Sequence, residues 1–150
     1  KMYDINDFNI VRFHNIYGPR MGQEHVVCQF IIRFLKGERP FKIFGGDETR
    51  AFCFIDDALE ALDKITNSKM QKEIIHIGND SEEVLITDLA KIVFDIGGEE
   101  YNFNREPAPA GCVKRRCPDI KKLKSLGIKK QISLRDGVKE TFKWYKKNYE

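Results

Sequence analysis

The chain has 150 residues, 41% of them apolar and 11 of them Phe, which fits one domain with a real hydrophobic core. It contains no run of about 18 apolar residues, so no membrane-spanning helix is expected. The net charge of +3 is too small to imply a nucleic-acid partner.

The opening Lys1–Asp7 has no apolar core of a secretory leader. Asn9 to Ile16 reads as a strand through Ile10, Val11, Phe13 and Ile16, ended by Gly18-Pro19, where proline removes a donor and fixes its own φ. Val26-Val27, Phe30-Ile31 and Phe34-Leu35 recur every four residues, the pattern of an amphipathic helix, and Gly37 stops it. Phe41 to Phe44 reads as a short strand closed by Gly45-Gly46, and Ala51 to Ile55 as extended. Asp56 or Asp57 is expected to cap the next helix, with Leu59, Leu62 and Ile65 as its buried stripe.

Ile74 to Ile77 is a strand before a Gly78-Asn79-Asp80 turn. Thr87 begins a helix that turns Leu89, Ile92, Val93 and Ile96 inward and ends at Gly97. Tyr101 to Arg105 reads as a short strand, and Pro107 and Pro109 make a loop. Asp119 caps a short helix ending at Gly127, and Ser133-Leu134-Arg135-Asp136 opens the last helix in the manner of a capping box. Alternating strands and helices argue for an α/β fold. Only the strands near Asn9–Ile16 and Ile74–Ile77 look central, which suggests the tail of a larger sheet plus a small lobe. Such a sheet would leave an edge and an apolar face uncovered, so the isolated chain is expected to self-associate or to be marginally stable.

Cys28, Cys53, Cys112 and Cys117 form no Cys-x-x-Cys pair, and His14, His25 and His76 are not spaced around them as zinc ligands. Reduced cysteines are the expectation, with no metal. From Lys114 to Glu150 thirteen Lys or Arg stand against four Asp or Glu. These alternate with Val138, Phe142 and Tyr145 at helical spacing and carry no repeated aromatic platform, so a solvated helix face is favoured over a nucleic-acid surface.

Four segments could carry chemistry: Arg12–Arg20, Phe41–Gly46, Thr49–Phe52 and Lys114–Asp119. Ligands of open α/β sheets bind at the carboxyl ends of strands, where the first segment turns. Arg presents a planar fork of donors that matches phosphate oxygens, and two Arg from separate loops can grip a diphosphate. Each residue also has a structural reading. Gly18-Pro19 turns the chain, Phe52 and Ile55 read as core, and Asp119 as a helix cap. In a pleated strand His14 points away from Asn15, which favours a packed or hydrogen-bonded ring over a general base.

The ordered set Arg12-x-x-Asn15-x-Tyr17-Gly18-Pro19-Arg20, Gly37-x-x-Pro40, Ile43-x-Gly45-Gly46 and Thr49-Arg50-x-Phe52-x-x-Ile55-x-Asp57 resembles the extended short-chain dehydrogenase/reductases. It is most similar to their nucleotide-sugar epimerases and dehydratases, including UDP-glucose 4-epimerase, dTDP-glucose 4,6-dehydratase and UDP-glucuronate decarboxylase. The tail Arg116-x-Pro118-Asp119-Ile120, with Leu126-Gly127 and Ser133-Leu134-x-x-Gly137, fits the decarboxylase-like branch best. The match runs from about Asn9 to Tyr145.

The resemblance implies the last strands of a Rossmann-type sheet plus a small mixed α/β substrate-binding lobe. Residues 1–150 would be the C-terminal nucleotide-sugar-binding part of a larger enzyme, without its N-terminal NAD-binding part. Asn15 and Arg50 would hold the diphosphate of a UDP- or dTDP-sugar. Val27, Lys42, Ile43 and Phe44 would surround the base, and Arg116 would approach the phosphates or the sugar. NAD would be bound mainly upstream, for no Gly-x-x-Gly-x-x-Gly turn and no Tyr-x-x-x-Lys pair occurs here. The catalytic pair would therefore lie outside these residues, and the isolated chain would be inactive. The whole enzyme would act by transient C4 oxidation of the sugar, as a cytoplasmic homodimer in polysaccharide biosynthesis. A non-catalytic nucleotide-sugar-binding module and a basic structural or RNA-associated domain are the alternatives.

Overall fold

The computed structural model describes residues 7–128 and 131–148. The chain order is β1 (Ile10–Phe13), β2 (Ile16–Tyr17), α1 (Val26–Leu35), β3 (Phe41–Phe44), β4 (Thr49–Ala51), β5 (Cys53–Phe54) and α2 (Ile55–Thr66). Then come β6 (Ile74–Ile77), β7 (Glu83–Leu85), α3 (Ile86–Gly97), β8 (Phe103–Glu106), β9 (Arg115–Arg116), α4 (Lys121–Ser125) and α5 (Leu134–Asn148). Parallel pairs join β1 to β6, β2 to β5, β3 to β8 and β4 to β9, while β4 and β7 run antiparallel.

Two cores result. One packs α1, α3 and α5 around β3, where Phe41 meets Phe30 and Phe94 edge-on at centroid distances of 5.3 and 5.4 Å. That geometry suits the quadrupoles of aromatic rings. The other packs Ile75 and Ile77 of β6 against Ala58, Ala61 and Ile65 of α2 and against Ile120 and Leu123 beside β6. The small alanines let α2 lie close to its sheet. On the other face of that sheet the register partners Ile10 and Ile74 remain 46% and 40% exposed, an apolar strip on an otherwise ordered pair of strands.

Several expectations need correction. The strand expected over Asn9–Ile16 is broken at His14-Asn15, because Asn15 takes φ 46°, a left-handed conformation that Asn tolerates better than most side chains. The break sends β1 to β6 and β2 to β5. Phe54 and not an aspartate precedes α2, so Asp56 and Asp57 sit inside its first turn without capping it. Asp57 instead accepts the backbone N–H of Ile132 at 3.0 Å. Leu59 points outward at 55% exposure, and Ala58 and Ala61 replace it in the buried stripe. By contrast, α3 ends at the expected Gly97, and Gly98, at φ 78°, takes the left-handed cap position after it.

Other readings hold. Ser133 Oγ accepts the N–H of Asp136 at 3.2 Å while donating to the Asp136 carboxylate at 2.6 Å, whereas Asp119, expected to cap α4, lies one residue before the cap residue Ile120, its carboxylate accepting the N–H of Lys121 at 2.9 Å. His14 is hydrogen-bonded, its Nε2 lying 2.6 Å from His76 Nδ1 with the rings stacked at 4.8 Å. Burial first, then His76, Arg116 and Arg12, hold the His14 pKa below its ordinary value. Gly137 of α5 is a close-approach glycine: a Cβ there would collide with the Tyr17 hydroxyl and with Phe54.

Candidate functional site

Four of the residues singled out from sequence meet in one place. A cavity of about 310 Å³ is lined by Asn15, Phe44, Arg50 and Arg116, together with His25, Glu48, Phe52 and Cys112. That is near the lower bound for small-molecule pockets. The break at Asn15 is what turns its side chain here: Asn15 Nδ2 donates to Ala51 O at 2.8 Å, and Asn15 O accepts from Cys53 N at 3.2 Å. The break thus anchors Asn15 to the β4–β5 junction beside Arg50.

Arg50 and Arg116 are register partners on the parallel strands β4 and β9. Their side chains leave the same face, with backbones about 4.8 Å apart. Arg50 donates to Thr49 O at 2.8 Å and lies 3.8 Å from Cys112 Sγ. Among the described residues neither arginine forms a salt bridge. By contrast, the adjacent Arg115 is engaged by Glu83 at 2.7 Å. Glu48 is buried and turned inward, accepting the N–H of Gly46 at 2.7 Å, and this backbone bond holds its pKa below the usual carboxylate value.

The start of α1 faces the same cavity through His25 and Val26. No side chain caps this end and its first turn holds no acidic residue, so the partial positive charge of its unpaired amides is uncompensated. Two guanidiniums, open helix amides and an Asn amide make a site suited to an oxyanion such as a phosphate.

The remaining predicted residues are placed differently. Strand β3 alternates, with Phe41 and Ile43 inward and Lys42 and Phe44 outward. Phe44, 56% exposed, stands at the cavity rim as a ring for stacking. Lys42 shares its face but does not line the cavity; its carbonyl accepts from Arg33 at 2.6 Å, which ties β3 to α1. Val27 and Ile43 are fully buried in the larger core, so only their backbones could reach a ligand. Sequence reading missed His25, Glu48 and Cys112. His25 could have been found as the residue immediately before the amphipathic run, whereas nothing local marks Cys112, which arrives with the Pro107–Pro109 loop.

A larger cavity, about 630 Å³, lies between α2 and the start of α5. Its wall includes Asp56, Asp57, Glu60, Asp136 and Glu140, and such a concentration of carboxylates repels a phosphate-bearing ligand. Size therefore does not decide between the two. No group of three or more His, Cys, Asp or Glu among the described residues could hold a metal ion, and no helix among them is long and apolar enough to cross a membrane.

Parallel strand pairs between helices, with polar residues delivered into one cavity, define a Rossmann-like α/β architecture. Residues 3–78 match the model of the NAD dependent epimerase/dehydratase family, and the chain belongs to that family. It is similar to the UDP-glucose 4-epimerase of Thermotoga maritima, solved with UDP-glucose: 30% identity, TM-score 0.85, covering 96% of this chain and 47% of that one. A UDP-glucuronic acid 4-epimerase from Bacillus cereus, solved with UDP-glucuronic acid and NAD, gives 28% identity and TM-score 0.85 over 93% of this chain and 45% of that one. GDP-mannose 3,5-epimerase 1 of Oryza sativa subsp. indica is 31% identical over 93% of this chain and 38% of its own length. The chain spans less than half the length of each of these relatives.

Proposed function

We propose that these 150 residues are the C-terminal nucleotide-sugar-binding part of an NAD-dependent epimerase or dehydratase. The observation that carries this reading is the convergence of Asn15, Arg50, Arg116 and Phe44 on one cavity in which neither arginine forms a salt bridge among the described residues. In this reading the arginines and Asn15 hold the diphosphate of a UDP- or dTDP-sugar, and Phe44, with the exposed face of β3, flanks the base.

NAD supplies transient oxidation at the sugar, and its residues are placed outside this chain. The glycines here fit turns and not a dinucleotide loop: Gly45 and Gly46 close β3 at positive φ, with the N–H of Gly46 tied to Glu48. The apolar strip of Ile10 and Ile74 supports the same division, since a further layer or strand of a larger sheet would cover it. No turnover is expected from these residues alone. The complete enzyme is read as a cytoplasmic homodimer of polysaccharide biosynthesis.

The test is a calorimetric panel of UDP, dTDP, GDP, CDP and a short RNA, on the chain and on Arg50→Ala. Nucleotide affinity that is unchanged in Arg50→Ala sinks the diphosphate assignment. Binding that favours RNA and collapses with salt would point instead to a basic RNA-associated domain.

A further inference from the structure

His25 occupies the position before α1 in an extended conformation, φ −81° and ψ 133°, and its side chain makes no capping hydrogen bond. Ser, Thr, Asp or Asn would stabilise the helix better at this position. The ring is held in place by Phe52, edge to face at a centroid distance of 6.3 Å. Its Nδ1 is sealed from solvent and has no hydrogen-bond partner. Since the ring lines the cavity while Nδ1 is sealed, Nε2 is the nitrogen the cavity can reach.

The tautomer follows. Burial lowers the His25 pKa, so the ring is neutral near pH 7 and carries one proton. A sealed N–H without an acceptor would bear its full desolvation penalty. The proton therefore sits on Nε2, and the neutral ring presents a single donor to the cavity. The other ionisable groups lining it are Glu24, Glu48, Cys112, Arg50 and Arg116. Among these His25 supplies a directional, uncharged donor beside two diffuse cations.

We propose that His25 is a positioning residue of this cavity, its Nε2–H donating to an acceptor oxygen of the bound nucleotide sugar. The proposal rests on the nucleotide-sugar reading of the same cavity. It assigns His25 the orienting of one oxygen, a task that the guanidiniums, which offer several donors each, perform with less selectivity.

The experiment titrates the chain with UDP-glucose, dTDP-glucose and GDP-mannose by calorimetry and follows the tightest of the three in His25→Phe, His25→Gln and Arg50→Ala. Phe keeps the ring packing on Phe52 and removes both nitrogens, while Gln restores a donor. His25→Phe should bind about 10-fold more weakly, about 1.4 kcal/mol, and His25→Gln within about threefold of the parent. The melting temperature of His25→Phe should be no lower than that of the parent, because the sealed Nδ1 is gone. Unchanged affinity in His25→Phe, with Arg50→Ala weakened, overturns the role of His25 and leaves the nucleotide-sugar reading standing. If neither variant weakens binding, or the parent binds none of the three, both fall. A joint loss of affinity and melting temperature that Gln does not rescue makes His25 merely structural.

Discussion

Replacing Arg50 and Arg116 singly and together probes the phosphate grip most quantitatively. A hydrogen bond to a charged group contributes about 1.5–3 kcal/mol. Arg50 is half-buried in the cavity wall, and its solvent exposure argues for the lower end of that range, about 1.5 kcal/mol or roughly 10-fold in Kd. Arg116 is exposed, so screening by water reduces its share to about 0.5–1 kcal/mol, roughly two- to fivefold. As register partners they would share one ligand, so the double variant should fall short of the product of the two effects.

Arg50→Lys should recover little of the loss, because an ammonium lacks the planar fork that matches phosphate. The assay is calorimetric titration with UDP-glucose at 0.1 M and 1 M salt. The difference between parent and Arg50→Ala should shrink as the Debye length falls from about 10 to about 3 Å. Arg50 also donates to Thr49 O at 2.8 Å, so each variant needs its melting curve to show that β4 is intact. Equal affinities of parent and Arg50→Ala, with equal melting curves, would refute the reasoning.

Gly137→Ala sets two effects against each other. Helix propensity alone would favour Ala by about 1 kcal/mol. The new methyl would collide with the Tyr17 hydroxyl and Phe54, and overpacking costs about 1–3 kcal/mol, so the net change should be destabilising and lower the melting temperature by a few degrees; a rise in melting temperature would mean that α5 packs more loosely than described. Stability should also depend on pH below neutrality. Burial holds His14 and His25 below the unfolded value of 6.5, so the unfolded chain binds more protons in that window and stability falls as pH drops from 7 through 6.5 towards their folded values. His25→Phe should flatten this slope in thermal unfolding at pH 7 and pH 5, and an identical slope would show that His25 does not contribute.

Much of the fold was legible because its signals are local. The four-residue recurrence from Val26 to Leu35, the alternation of Phe41–Phe44 and the Ser133–Asp136 box each report on their own neighbours. What was missed depends on distant partners. The break at Asn15 is decided by Ala51 and Cys53, and the outward turn of Leu59 by how close Ala58 and Ala61 bring α2 to its sheet. β7 and β9 are strands of three and two residues that exist only because β4 lies between them. The site follows the same division. Asn15, Arg50 and Arg116 carried a sequence signal through their motifs, and the structure sets Arg50 and Arg116 in register. Val27 and Ile43 share those motifs, yet their side chains are in the core. Cys112 enters only through the long loop that leads into β9.

That loop provides the most direct measurement. Cys112 is exposed beside Arg50, whereas Cys28 and Cys53 are buried with thiol pKa values raised by burial, Cys53 to about 12, and Cys117 is half-buried with its pKa also raised by burial. Iodoacetamide, which reacts with thiolate, should therefore label Cys112 first. Saturating UDP-glucose or dTDP-glucose should slow that labelling at least several-fold in the parent and much less in Arg50→Ala at the same concentration, as mapped by peptide mass analysis. A Cys112 labelling rate that no sugar nucleotide changes would contradict nucleotide-sugar binding in this cavity.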